Sequence, residues 1–235
     1  MRRGKRLNKS LKVYRNELKY YISKSEYYYL KTVLGAILQR DAYGMDDGDY
    51  WIRSLYFDTS YGKDYYEKMI GIKERRKIRL RIYDVNTDEV KLEIKNKYDD
   101  YMMKETVTLS KADAEEFIKG NIDILLKYDN ESATKVYKLM HLDYYKPSAI
   151  IDYEREAYVA PINNIRITFD KNVRTAIENG NMFQENLPMK SVFEEEVIVL
   201  EVKYNNSLPK HIRDILGTCI GTRSSVSKYC LGKII

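Results

Sequence analysis

Residues 77–97 read KIRLRIYDVNTDEVKLEIKNK, two short runs in which charged and apolar residues alternate. Lys77, Arg79 and Arg81 share one face of the first run. Lys91, Glu93, Lys95 and Lys97 share one face of the second. Alternation with period two is the pattern of a half-buried strand, so the pair reads as a hairpin with an apolar face made by Ile78, Leu80, Ile82, Val90, Leu92 and Ile94. Solvated faces usually mix both signs, because like charges on neighbouring strands repel. A solvated outer face is the plainer reading of one such hairpin alone, but six cations against one acid also suit an anion. Arg offers a planar fork that donates two parallel hydrogen bonds to phosphate, and Lys a point charge.

The same bias recurs along the chain. On faces of predicted strands stand Arg15, Lys19, Arg53, Lys77, Arg79, Arg81, Lys91, Lys95, Lys97, Lys104, Arg155, Arg166 and Lys203, with only Glu17, Glu93, Asp170 and Glu201 as acids. Arg155 shares its face with Ala149, Ile151, Tyr153 and Ala157, while Asp152, Glu154 and Glu156 lie opposite. An unpaired Arg on a buried face costs several kcal/mol, so Arg155 needs an anion, from the chain or from a ligand. Glu17 and Glu201 repel phosphate. They suit Mg2+ or Mn2+, hard cations that take carboxylate oxygen and bridge to phosphate. A salt bridge to a neighbouring cation is the plainer role for either, and for Glu93 the two roles are evenly matched.

These residues need elements to carry them. The pattern predicts strands over 13–22, 50–58, 76–84, 90–97, 102–109, 148–159, 164–170 and 196–204, with an irregular connection over 174–190 that has room for a short hairpin. Helices are predicted at 24–39, opened by a Ser23/Glu26 capping box, and near 61–70, 110–119, 131–143, 209–216 and 224–232. Short connections favour antiparallel pairing. Eight such strands close into a barrel that removes its own edges. The expected fold is therefore α+β, an eight-stranded antiparallel β-barrel with helices packed outside and a basic interior.

Composition bounds the rest. The chain has 235 residues, 44% hydrophobic and 32% charged, with 4 Pro and 11 Gly, which is a globular composition without a low-complexity linker. A basic segment over 1–12 followed by one domain over 13–235 is expected. The net charge of +6 suits nucleic acid, a membrane surface or a phosphate compound alike. Nucleic acid ranks low because the cations converge on one interior. Cys219 and Cys230 make no disulfide framework, and His141 and His211 offer neither zinc spacing nor a catalytic pair. The many tyrosines read as strand aromatics rather than base-stacking platforms. No apolar run approaches ~18 residues, and the start MRRGKRLNKSLK lacks the apolar stretch of a signal peptide. A cytoplasmic setting is expected, which leaves open the inner face of a membrane.

Eight stretches together resemble the VTC domain, the polyphosphate polymerase branch of the triphosphate tunnel metalloenzymes: RNELKY (15–20), SLYFDT (54–59), KIRLRIY (77–83), LEIKNK (92–97), YEREAY (153–158), RITFD (166–170), LEVKY (200–204) and SKY (227–229). The resemblance runs in order over 13–232. It implies an eight-stranded tunnel with basic walls in which the γ-phosphate of ATP passes to a growing polyphosphate chain. It implies phosphate contacts by Lys19, Arg79, Arg81, Lys95, Lys104, Arg155, Arg166, Lys203 and Lys228, with Lys19, Arg79, Arg81 and Glu201 at the reacting centre. Glu201, assisted by Glu17, would hold Mn2+ or Mg2+. ATP, inorganic polyphosphate and tripolyphosphate are the implied ligands.

Two departures narrow this. Hydrolytic relatives carry Glu-x-Glu-x-Lys on the first strand, whereas here Arg15 stands at the first Glu position; that suits the polymerase branch over a two-metal triphosphatase. The regulatory SPX domain and the transmembrane helices of the eukaryotic proteins are missing from the sequence, which leaves room for a separate membrane protein partner. A tripolyphosphate or nucleoside triphosphate hydrolase, and a non-catalytic polyphosphate-binding module, stand as alternatives.

Overall fold

The computed structural model describes residues 15–42, 48–99, 101–176, 180–194, 196–218 and 222–233. The expected basic segment over 1–12 and Cys219 lie outside them. The strands are β1 (Arg15–Ile22), β2 (Gln39–Arg40), β3 (Asp49–Thr59), β4 (Arg75–Ile82), β5 (Glu89–Tyr98), β6 (Tyr101–Ser110), β7 (Tyr145–Ala160), β8 (Ile165–Ala176), β9 (Met189–Ser191), β10 (Ile198–Asn205) and β11 (Thr222–Arg223). The helices are α1 (Lys24–Ile37), α2 (Lys63–Met69), α3 (Lys111–Ile118), α4 (Glu131–Asp143), α5 (Lys210–Gly217) and α6 (Lys228–Lys233). The capping box that announces α1 is made: Ser23 N–H donates to Glu26 Oε2 (2.8 Å) and Glu26 N–H to Ser23 Oγ (3.3 Å). Asn130 caps α4 in the same manner, accepting from Ser132 and Ala133.

The strands form one antiparallel sheet in the order β11-β1-β10-β8-β7-β3-β4-β5-β6, with β2 on β7 and β9 on β8. Register follows the alternation read from sequence. Ile78, Leu80, Ile82, Val90, Leu92 and Ile94 point to the outer face of the sheet, where α3, α4 and the 3-10 turn at 122–127 cover them with Phe117, Leu125 and Val136. A second outer layer places α1 and α5 over Ile22, Ile167, Phe169, Leu200 and Val202. Every second residue of these strands therefore points the other way, into the concave face.

The expected barrel is corrected in two respects. Among the described residues no ladder joins β6 to the far edge, so the sheet stays open. Beyond β1 the sheet continues to β11 through Tyr20↔Arg223 and Tyr21↔Thr222, and among the described residues β6 pairs with β5 alone. The helices are also not all outside. Helix α6 enters the concave face, where Val226, Tyr229 and Cys230 pack with Tyr56, Ile151, Tyr153 and Val199. Gly232 allows this close approach, since a Cβ there would collide with Ile151 and Thr175. In the segment expected to be an irregular connection with room for a short hairpin, β8 runs on to Ala176 and pairs antiparallel with β9. Among the described residues no helix is long and apolar enough to cross a membrane.

Candidate functional site

The concave face is built by alternate residues of β1, β10, β8, β7, β3, β4 and β5, with the turn into α6 lying across it. On one wall opposite charges face each other at Glu17↔Lys203 and Lys19↔Glu201 between β1 and β10 and at Asp170↔Arg155 between β8 and β7, while Lys203 faces the like charge of Arg166 between β10 and β8. Arg155 gains its anion from the chain. Its Nε and Nη2 donate to the two oxygens of Asp170 at 2.5 and 2.8 Å, and Glu201 stands 3.7 Å from Nη2. Lys228, from α6, also pairs with Asp170. Although burial opposes ionisation, Arg155 and Lys228 hold the Asp170 carboxyl down at about 2.

Glu201 is nearly buried and serves several cations. Lys203 lies at 2.7 Å and Lys19 at 3.9 Å. Lys19 meets Glu17 at 3.0 Å and donates to the Val226 carbonyl at 3.4 Å. Burial raises the Glu201 carboxyl, yet Lys203, Lys19 and a hydrogen bond with Glu17 leave it well below the usual carboxylate range. Burial likewise lowers Lys19, but Glu201 and Glu17 outweigh it and the ammonium is held more firmly than usual. Arg166 donates to Asp41 (2.5 Å) and to the Tyr50 hydroxyl (2.9 Å).

The β4–β5 wall is balanced differently. Glu93 is its one buried acid among the described residues. It takes Arg79 through Nε (2.7 Å) and Nη2 (2.5 Å), Arg81 at 3.8 Å and Lys104 from β6. Glu93 is thus a salt-bridge hub. Tyrosines brace the same arginines: Arg79 Nη1 donates to the Tyr56 hydroxyl (3.0 Å) and Arg81 Nη2 to the Tyr153 hydroxyl (2.9 Å). Neither Lys77 nor Lys95, which face each other across the β4–β5 ladder, has a carboxylate within ion-pair distance among the described residues. Burial, then Arg79 and Lys203, push the Lys95 ammonium well below its usual range. Lys203 lies five strands away in the order of the sheet.

The sequence-predicted site residues therefore assemble as follows. Glu17, Lys19, Arg155, Arg166, Glu201, Lys203 and Lys228 meet on one wall, and Arg79, Arg81, Lys95 and Lys104 on the other. Arg53 belongs to neither, contrary to its place among the inward cations. Its guanidinium points outward, pairs with Asp152 (2.7 and 2.8 Å) and holds the carbonyls of Met182 (3.2 Å) and Gln184 (2.6 Å). Lys91 is also spent locally, on Glu89 at 2.8 Å. The sequence reading passed over Tyr56, Asp41 and Ser227. Tyr56 was signalled by its period-two spacing from Ile52 and Ser54, whereas Asp41 sits in a loop with no periodicity to mark it.

Among the described residues no group of three or more His, Cys, Asp or Glu side chains forms a metal cage. Glu17 and Glu201 supply two carboxylates that share Lys19 on the concave face. That donor set fits a hard divalent cation completed by phosphate and water oxygens, as Mg2+ usually is.

A sequence profile of the VTC domain matches residues 14–234. The chain belongs to the VTC domain family. No curated protein matches it. Among solved structures, the "Putative adenylyl cyclase HpAC1" from Hippeastrum, described as having a dominant triphosphatase activity, superposes with a TM-score of 0.56 at 12% identity, covering 93% of this chain and 94% of that one. A putative adenylate cyclase from Bacillus halodurans gives 0.53 at 12% identity, with 91% and 95% covered. At that identity the likeness is one of fold. This VTC domain shares the fold of those two proteins, and among the described residues its sheet is open, with β6 and β11 at its two ends.

Proposed function

We propose that this VTC domain is a polyphosphate polymerase that transfers the γ-phosphate of ATP to the end of an inorganic polyphosphate chain held in the basic concave face. The observation that carries the proposal is Lys95. It is a lysine with no carboxylate within ion-pair distance among the described residues, facing Lys77 across the ladder, and burial, with Arg79 and Lys203, disfavours its charge. A fold that merely balanced its own charges would place an acid there.

Phosphoryl transfer asks mainly for positioning and for neutralising charge as the bond breaks. Arg79 and Arg81, braced by Glu93, Tyr56 and Tyr153, present rigid guanidinium forks from one wall. Lys19, Lys203, Arg155, Arg166 and Lys228 face them, and Lys104 stands at the β6 margin. An oncoming phosphate competes with the internal carboxylates for these cations, so binding exchanges ion pairs rather than filling vacant ones. The acceptor is the anionic end of a phosphate chain, which needs no deprotonation, and the site accordingly works without a histidine base. Glu201, with Glu17, would hold Mn2+ or Mg2+, which would neutralise phosphate oxygens when bound.

A second reading is a tripolyphosphate or nucleoside triphosphate hydrolase. Glu17 and Glu201 favour it, since either can accept a proton from water. A binding module without turnover is the third. Incubating the protein with ATP and Mn2+ separates them. Long-chain polyphosphate plus ADP supports the polymerase, free phosphate without polymer supports the hydrolase, and salt-sensitive binding without turnover leaves only the module.

A further inference from the structure

We infer that the outward face of α2, with Tyr66, Met69 and Ile70 flanked by Lys68 and Lys73, is a docking surface for a lipid bilayer that carries anionic headgroups. None of these side chains belongs to the concave face described above.

Helix α2 is turned inside out. Its one buried side chain is a carboxylate, Asp64. The apolar Tyr66, Met69 and the C-cap Ile70 face solvent instead, 60%, 55% and 73% exposed. Spacing of i, i+3 and i+4 sets these three on one stripe. A surface helix ordinarily does the reverse, with its apolar stripe on the core. Its orientation is fixed from beneath. The Asp58 carboxylate accepts the backbone N–H groups of Asp64 and Tyr65 at 2.9 and 3.1 Å. The Tyr145 hydroxyl donates to Asp64 at 2.8 Å, and the Tyr65 ring stands edge-on to Tyr229 of α6. The stripe cannot roll inward without breaking these contacts. The flanking turns add Tyr61 and Ile72, both exposed.

Charge decides what such a stripe meets. Residues 61–76 carry Lys63, Lys68, Lys73, Arg75 and Arg76 against Asp64, Glu67 and Glu74, and Asp64 is buried. Lys68 has no carboxylate within ion-pair distance among the described residues, and burial, then Arg75, push its ammonium below the usual range. A second copy of this chain would set like charges against each other. The core of a protein interface is depleted of lysine, yet here Lys68 and Lys73 are interleaved with Met69, Ile70 and Ile72. A bilayer surface accepts that mixture. Tyrosine rings and aliphatic side chains enter the boundary between headgroups and acyl chains, while lysine stems reach back to the lipid phosphates.

The test is co-sedimentation of the protein with vesicles of phosphatidylcholine alone and of phosphatidylcholine mixed with phosphatidylglycerol, in low-salt buffer. The wild type should bind the mixed vesicles, be released by high salt, and bind phosphatidylcholine at least about tenfold more weakly. Met69→Ser with Ile70→Ser should lose at least about tenfold on the mixed vesicles, from apolar area no longer buried. Lys68→Gln with Lys73→Gln should lose roughly tenfold, from the missing charges. A wild type that binds neither vesicle, or binding that Met69→Ser with Ile70→Ser leaves unchanged, would overturn the inference. A dimer in solution that the same two substitutions disperse would also overturn it, and would assign the stripe to a second copy of the chain.

Discussion

Arg155 and Asp170 face each other across the β7–β8 ladder and meet through two hydrogen bonds, at 2.5 and 2.8 Å. The pair is buried, and Lys228 of α6 joins it. Removing one partner of such a pair leaves a buried charge uncompensated, at about 3–5 kcal/mol. Asp170→Asn is expected to destabilise the protein by that order. The pH dependence follows from the same geometry. The folded Asp170 carboxyl, at about 2, lies below its ordinary 3.8, so the folded state binds the proton less well than the unfolded one. Its contribution is present above pH 3.8 and is lost as the pH falls through about 2. Acid unfolding of the wild type and Asp170→Asn, followed by circular dichroism, should converge in that window.

Glu201 is the carboxylate on which Lys19 and Lys203 converge and the one assigned to the metal. Glu201→Gln should lower turnover of ATP by orders of magnitude. Metal-free affinity for tripolyphosphate should hold or improve, since a negative charge leaves the cleft. Turnover assays beside calorimetry without metal check this. A parallel loss of both would assign Glu201 to the folding of the wall.

Arg53 tests the outward assignment. With Asp152 it anchors the segment at 182–184 outside the sheet. Arg53→Ala should cost about 3–5 kcal/mol of stability and leave the affinity for tripolyphosphate unchanged in protein that remains folded. Urea unfolding and calorimetry report the two effects separately.

Asp64, in the first turn of α2, carries a buried oxygen, Oδ2, with no hydrogen-bond partner, while Oδ1 accepts from the Tyr145 hydroxyl at 2.8 Å. Burial pushes this carboxyl up to about 7 from 3.8. A raised acid binds its proton more tightly in the folded state, so its contribution is best below pH 3.8 and declines as the pH rises to about 7. One pH unit corresponds to about 1.4 kcal/mol. Asp64→Asn should therefore gain stability over the wild type by a few kcal/mol above pH 7, and little in mild acid. Thermal melts at two pH values show the difference.

Much of this was legible in the sequence, because period-two alternation is a local signal with a physical cause. KIRLRI and LEIKNK place Ile78, Leu80 and Ile94 under the outer helices and Arg79, Arg81 and Lys95 inside, as alternation requires. The capping box at Ser23 and the helices at 24–37 and 131–143 are local in the same sense. Long-range facts were hidden. The far edge of the sheet is β11, a two-residue pairing with no pattern of its own. The inward path of α6 depends on packing between Gly232 and Ile151. Arg53 looked inward because a lone Arg on a strand fixes no direction until its partner, Asp152 on β7, is known. The counting of cations against acids also overlooked that Asp170 and Glu93 each serve more than one cation, so part of the excess is absorbed within the protein.

The central claim is that the concave face holds a phosphate chain, and Lys95 tests it most directly. Tripolyphosphate should be titrated calorimetrically into the wild type and Lys95→Ala without metal, at two salt concentrations. The account predicts salt-sensitive binding by the wild type, a loss of at least about tenfold in Lys95→Ala, and a variant as stable as the wild type or more so, because a depressed lysine has been removed. Equal affinity in the two proteins, or a wild type that binds nothing, would contradict it.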